Sequence, residues 1–170
     1  MFSMFCYNDV IKKDLFLEPS NNMHNIVQWI DTLVLDGVRT TSDRIDGIVH
    51  KVPNEKSLVF WISDFHHSHE YIDTMIEQLS NHHVIPVYLS SESEIKKLPS
   101  YGFKNFMDAE VNVEREIFMR PKVKDKLLHD YQEAKEKIFH IFAKNQLMQL
   151  EIDEGIDLNV IQQYFMRASI

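Results

Sequence analysis

Five consecutive apolar residues, Leu58, Val59, Phe60, Trp61 and Ile62, run without a charge and stop on Ser63 and Asp64. A β-branched and aromatic run this short predicts a central parallel strand covered on both faces rather than a buried helix. Residues 84–89 repeat the pattern, with Pro86 inside it pointing to an edge, an end or a bulge. Between the runs, Ile72, Met75, Ile76 and Leu79 recur at helical spacing. The segment therefore reads as a βαβ unit, whose crossover is right-handed in nearly all known cases.

The same pattern extends in both directions. Residues 1–7 read as a strand, followed by a turn at Asn8 and Asp9 and an extended piece through Leu15, Phe16 and Leu17 that Pro19 closes. Asn21 and Asn22 suit a helix start, Ile26, Val27, Ile30, Leu33 and Val34 give its apolar face, and Gly37 suits its C-cap. A second helix is expected over 41–51 with Ile45, Ile48, Val49 and Val52 on one side. After Ser90 the chain turns polar through Glu92, Glu94, Lys96 and Lys97 to a turn cluster at 98–102. Val113 and Ile117 alternating with Glu114 and Glu116 suggest a small hairpin inserted near 103–119. Pro121 opens the longest helix, to about 144, with Leu127, Leu128, Tyr131, Ala134, Ile138 and Phe142 on one stripe. A strand over 147–152 and a closing helix capped by Asp157 complete the chain. Alternating strands and helices predict an α/β domain with a doubly wound, largely parallel sheet.

At 170 residues the chain suits one well-buried domain. A formal net charge of −8 argues against a nucleic-acid partner. The densest basic group, Lys122, Lys124, Lys126, Lys135 and Lys137, is interleaved with acids and reads as a solvated face. Four glycines leave no Gly-rich phosphate loop. Cys6 is the only cysteine, so no internal disulfide can form, and a reducing cytoplasm is the expected compartment. No apolar run approaches the ~20 residues that span a bilayer.

Candidate chemistry gathers after the first strand of the βαβ unit, where Ser63, Asp64, His66, His67, His69 and Glu70 follow one another. The carboxyl edge of a parallel sheet is where ligands collect, which makes Asp64 a candidate metal ligand. Its structural alternative is a cap for the next helix. A transition metal held by Asp64, His66, His67 and His69 would define a metal-dependent hydrolase. The competing view is a polar loop whose imidazoles are solvated. No serine sits in a nucleophile elbow, and the pairs Glu92 with Glu94 and Asp153 with Glu154 read as surface carboxylates. Thr40, Thr41 and Ser42 place hydroxyls at the start of the second expected helix, the position of a cap.

The order of these parts resembles a von Willebrand factor A domain, a Rossmann-type fold, from its second strand onward. In that fold an Asp-x-Ser-x-Ser turn, a threonine and a later aspartate hold Mg2+ at one sheet edge, and Thr40 (or Thr41, one register on) and Asp64 match the second and third of these, with Ser63 in support. Within the superfamily the chain is most similar to a bacterial family, catalogued as a domain of unknown function, often encoded beside MoxR-type AAA ATPases. The residues that carry this likeness are Ile62, Ser63, Asp64 and Phe65, the strand from His83 to Val87, Leu98 to Gly102 before Asp108, and the ending Tyr164, Phe165, Met166 and Arg167. The resemblance implies a non-enzymatic protein-interaction module whose partner is such an ATPase. No Asp-x-Ser-x-Ser occurs, and residues 1–5 fall on the family's second strand, so truncation at the amino terminus and an incomplete Mg2+ site are expected. A sheet cut short would expose strand edges and invite homo-oligomerisation.

Overall fold

The computed structural model describes residues 1–7, 11–32, 52–108 and 113–168. The chain divides into two compact units, one made of Met1–Val52 with Asn105–Arg115 and the other of Pro53–Lys104 with Glu116–Ile170.

In the first unit β1 (Phe2–Tyr7) pairs antiparallel with β2 (Ile11–Ser20) in a two-stranded sheet of its own. Residues 1–7 hold a strand as expected, but it is one of an antiparallel pair and not joined to the three-stranded sheet. A short connection such as that between Tyr7 and Ile11 suits only an antiparallel neighbour, since a parallel one needs a crossover of a dozen residues or more. Helix α1 (Met23–Asp31) begins where the asparagine pair predicts: Asn22 Oδ1 accepts from the backbone N–H groups of His24 and Asn25. Its cap at the far end is Thr32, whereas the expected cap Gly37 and the expected helix over 41–51 lie outside the described residues.

The second unit is built on three parallel strands in the order β3 (Leu58–Ser63), β4 (His83–Leu89), β7 (Leu150–Ile152). Helices lie on both faces, so the unit is a layered α/β structure. The first βαβ unit closes through α2 (His69–Gln78), which Ser68 caps by accepting from the Tyr71 N–H at 3.2 Å. Helix α4 (Pro121–Lys144) covers the face bearing Trp61 and Tyr88, with Phe142 5.0 Å from the Phe65 ring and Phe139 5.3 Å from Tyr88. Helix α5 (Leu158–Ala168) covers the other, where Tyr164 joins Ile85, Val87 and Leu150 in a buried cluster. Asp157 Oδ1 accepts from the Asn159 N–H at the start of α5, as the sequence suggests.

Three expectations change here. Among the described strands β4 is central and β3 is an edge, and on one face of β3 Leu58, Phe60 and Ile62 stay exposed while Trp61 on the other is buried. Pro86 sits inside this central strand, paired with Trp61, and β7 joins only from Val87. At the level of Pro86 the β7 side of the strand therefore carries no ladder, and a residue without an N–H is tolerated there. The polar stretch after Ser90 forms a short helix, α3 (Glu92–Lys97), with Glu92 and Lys96 paired one turn apart. The hairpin expected near 103–119 is present as β5 (Gly102–Asp108) and β6 (Val113–Met119), which pair in a sheet of two.

The lysines of α4 are not uniformly solvated. Lys124 Nζ donates to the carbonyls of Lys96 and Leu98, each at 2.6 Å, and so holds the end of α3. Lys135, mostly buried, donates to Glu151 on β7 at 2.5 Å and faces Glu92 on α3 at 3.5 Å. Burial pulls its ammonium down, but Glu151 and Glu92 outweigh that and hold it above the ordinary lysine value.

Candidate functional site

Parallel strands bring their carboxyl ends to one rim, and here the rim collects the loops after Ser63, Leu89 and Ile152. The first loop is shaped by Phe65, whose φ of +55° lies in the left-handed region that costs a non-glycine residue about 1 kcal/mol or more. Its ring repays this by filling the core without exposure, 4.8 Å from Trp61, 5.0 Å from Phe142 and stacked on Tyr88 at 6.1 Å. Reversal of the chain at Phe65 turns the residues on either side outward.

Ser63 and Asp64 bend onto this loop. Ser63 Oγ accepts from the Phe65 N–H at 3.0 Å, and Asp64 Oδ1 accepts from the His66 N–H at 3.3 Å. The other Asp64 oxygen lies 3.3 Å from His66 Nδ1. Asp64 is therefore a turn-forming residue next to an imidazole and not the cap of α2, a role Ser68 fills. His67 packs its ring on Tyr71 at 4.5 Å, and His69 opens α2.

His66, His67 and His69 line a cleft of about 380 Å3 whose opposite wall is α4, through Asp130, Glu133, Ala134, Lys137 and Ile138. The α4 side was not singled out from sequence, although its positions fall at helical spacing beside the buried Ile138, the signal of one helix face. Glu133 and Lys137 pair across one turn at 2.8 Å, and that contact holds the Glu133 carboxyl below its usual range. The cleft thus has an apolar floor from Phe65, Ala134 and Ile138 and a rim of imidazoles, carboxylates and one ammonium.

The second loop is fixed by Tyr131 of α4. Its hydroxyl accepts from the Ser91 N–H at 3.0 Å and from the Tyr88 hydroxyl at 3.4 Å, which leaves its own proton for Ser90 Oγ at 3.1 Å. Burial, then Tyr131, raises the Tyr88 phenol well above its ordinary value, with Glu151 and Asp64 adding to the shift. In the third loop Asp153 Oδ1 accepts from Ser93, and Lys97 pairs with Glu154 at 2.5 Å. Glu94, Asp153 and Glu154 are exposed, as read from sequence, although Asp153 and Glu154 contact Ser93 and Lys97, and only Glu92 is half-buried, against Lys96 and Lys135.

The resemblance implies Mg2+ on Thr40, Asp64 and Ser63. Thr40 lies outside the described residues, and the Ser63 and Asp64 oxygens are engaged with their own loop. Among the described residues no three His, Cys, Asp or Glu side chains are grouped to hold a metal ion. Ser63 and Asp64 as they stand do not make a magnesium cradle.

Fold and site together define a mixed α/β protein with a parallel three-stranded sheet and a shaped carboxyl rim. Neither family models, nor curated proteins, nor solved structures yield a match to this chain. No helix of the described residues is long and apolar enough to cross a membrane.

Proposed function

We propose that this chain is a non-enzymatic, cytoplasmic protein-interaction module of the von Willebrand A type that docks a protein partner on its carboxyl rim. The first partner to test is a MoxR-type AAA ATPase, acting with this chain in the assembly or maturation of other proteins. The supporting observation is the Phe65 turn. A strained residue anchored by a buried ring holds Asp64 and His66 outward beside a cleft with an apolar floor and a polar rim, a combination suited to a partner's side chain. Docking here calls for no ion, since Asp64 and the imidazoles offer hydrogen bonds and charge directly. The test is a titration of the purified ATPase into wild type and Asp64→Ala. Loss of about tenfold or more in affinity, equivalent to about 1.4 kcal/mol, supports rim docking. Equal binding of the two proteins would end it.

The rival metal-dependent hydrolase draws on the three imidazoles facing Asp130 and Glu133 across the same cleft. These donors would have to move together to share an ion. Zinc retained through dialysis, with hydrolysis of a model phosphoester, would favour the hydrolase over the docking module.

A further inference from the structure

The cleft on the carboxyl rim is lined by groups that select the chemistry of what enters it. Its volume of about 380 Å3 lies at the small end of ligand pockets, which run roughly 300–1,000 Å3. That is room for a side chain and not for a helix or a strand. Phe65, Ala134 and Ile138 give it an apolar floor, His66, His67 and His69 form one wall, and Asp130, Glu133 and Lys137 of α4 form the other.

Charge separates the possible occupants. Lys137 is already paired with Glu133 at 2.8 Å, so an incoming carboxylate would have to break that pair while facing Asp130. Asp64, with one oxygen 3.3 Å from His66 Nδ1, adds a further negative group behind the imidazole wall. With the imidazoles neutral, these three carboxylates outnumber the single ammonium of Lys137. An apolar side chain would strip water from them and return no hydrogen bond. A cation meets both requirements. Among the described residues no ion pair engages Asp130, and its side chain is exposed to a newcomer.

Shape then separates arginine from lysine. Asp130 and Glu133 are three residues apart on α4, neighbouring positions on one helix face, and the planar fork of a guanidinium can donate to two such carboxylates at once. An ammonium is a compact point charge without that reach. The flat guanidinium also stacks on aromatic rings, which the imidazole wall supplies, and its methylene stem suits the apolar floor.

We propose that this cleft receives an arginine side chain of the docking partner, with the guanidinium on Asp130 and Glu133 and the stem on Phe65 and Ile138. The proposal rests on rim docking and adds the chemistry of the contact: the partner presents an exposed arginine, not an acidic residue.

Titration of the blocked pentapeptide Gly-Gly-Arg-Gly-Gly into the full chain, followed by amide NMR, tests it. Measurement is made in physiological salt at pH 8, above the ordinary imidazole value of about 6.5. The peptide should shift amides of residues 64–69 and 130–138 saturably, with a dissociation constant on the order of 1 mM. Peptides with citrulline, the neutral near-isostere, or with glutamate in place of arginine should bind about tenfold or more weakly. Asp130→Asn should abolish the preference for arginine while leaving the thermal midpoint unchanged, since the side chain is exposed. No saturable shift at these residues would overturn the proposal, as would equal binding of the citrulline peptide, tighter binding of the glutamate peptide, or a preference for arginine that survives in Asp130→Asn. Asp64 is intact here and no ATPase is present. A chain that ignores the arginine peptide yet loses the ATPase on Asp64→Ala would therefore keep rim docking and lose only the arginine.

Discussion

Phe65 joins two effects that oppose each other at a single residue. Its backbone lies in a region that disfavours side chains, and its ring fills the space between Trp61, Tyr88 and Phe142. Magnitudes decide between them: deleting a buried phenylalanine ring costs about 3–5 kcal/mol, against about 1 kcal/mol for the strain. Phe65→Ala should therefore lose most of the larger figure in chemical denaturation, because alanine keeps the strain and drops the packing. Phe65→Gly should be about 1 kcal/mol more stable than Phe65→Ala, since glycine accepts the positive φ. A loss below about 1 kcal/mol for Phe65→Ala would show that the ring does not hold the turn. None of this was legible in the sequence, where Phe65 is a lone apolar residue after the run has stopped on Ser63 and Asp64. Asp64 was legible as a rim residue, because a carboxylate that ends a buried strand in a parallel sheet arrives at the loop edge. Its turn-forming role was not, because that depends on the reversal at Phe65.

Elements of the second unit were read well wherever apolar spacing is local. The period of 3.6 marks α2, α4 and α5, and continuous apolar runs mark β3 and β4. What such spacing reports is burial within a segment, and it does not identify the segment's neighbours. That is why β3 was expected at the centre of the sheet when it is an edge, and why spacing alone did not reveal that β1 pairs with β2 in a sheet of their own. Helix α3 escaped notice because six residues rich in Glu, Ser and Lys lack an apolar stripe, and it is held by contacts distant in sequence. Chief among these is the pairing of Glu92 with Lys135, which also reaches Glu151 on β7 and joins the local pair of Glu92 with Lys96 in one ion cluster. The hydrogen bond from Lys96 outweighs desolvation and, with smaller contributions from the charges of Lys96 and Lys135, holds the Glu92 carboxyl below its ordinary 4.5. A lowered carboxyl value stabilises the fold above the unfolded-state pKa, and that stabilisation is lost as pH falls through the folded value. Unfolding midpoints of wild type and Glu92→Gln should therefore differ at neutral pH and converge as pH drops below 4.5. A constant gap across that range would remove the ion cluster from the account of how α3, α4 and β7 are joined.

For the molecule as a whole, a formal net charge of −8 keeps copies apart at long range, less so as salt screens it. The carboxyl rim gathers its own polar groups around a small apolar floor. Composition indicated the charge and the absence of glycine-rich phosphate loops, but the cleft required α4 to be laid beside the loop after β3. Residues 64–69 and 130–138 are far apart in the chain, and no local pattern joins them. Docking at this rim is the central claim, and it is most directly tested by titrating a purified MoxR-type ATPase into wild type and Asp64→Ala matched for thermal midpoint. Binding by wild type that falls about tenfold or more in the variant is the predicted result. Binding unchanged by the substitution, or no binding by wild type, would contradict it.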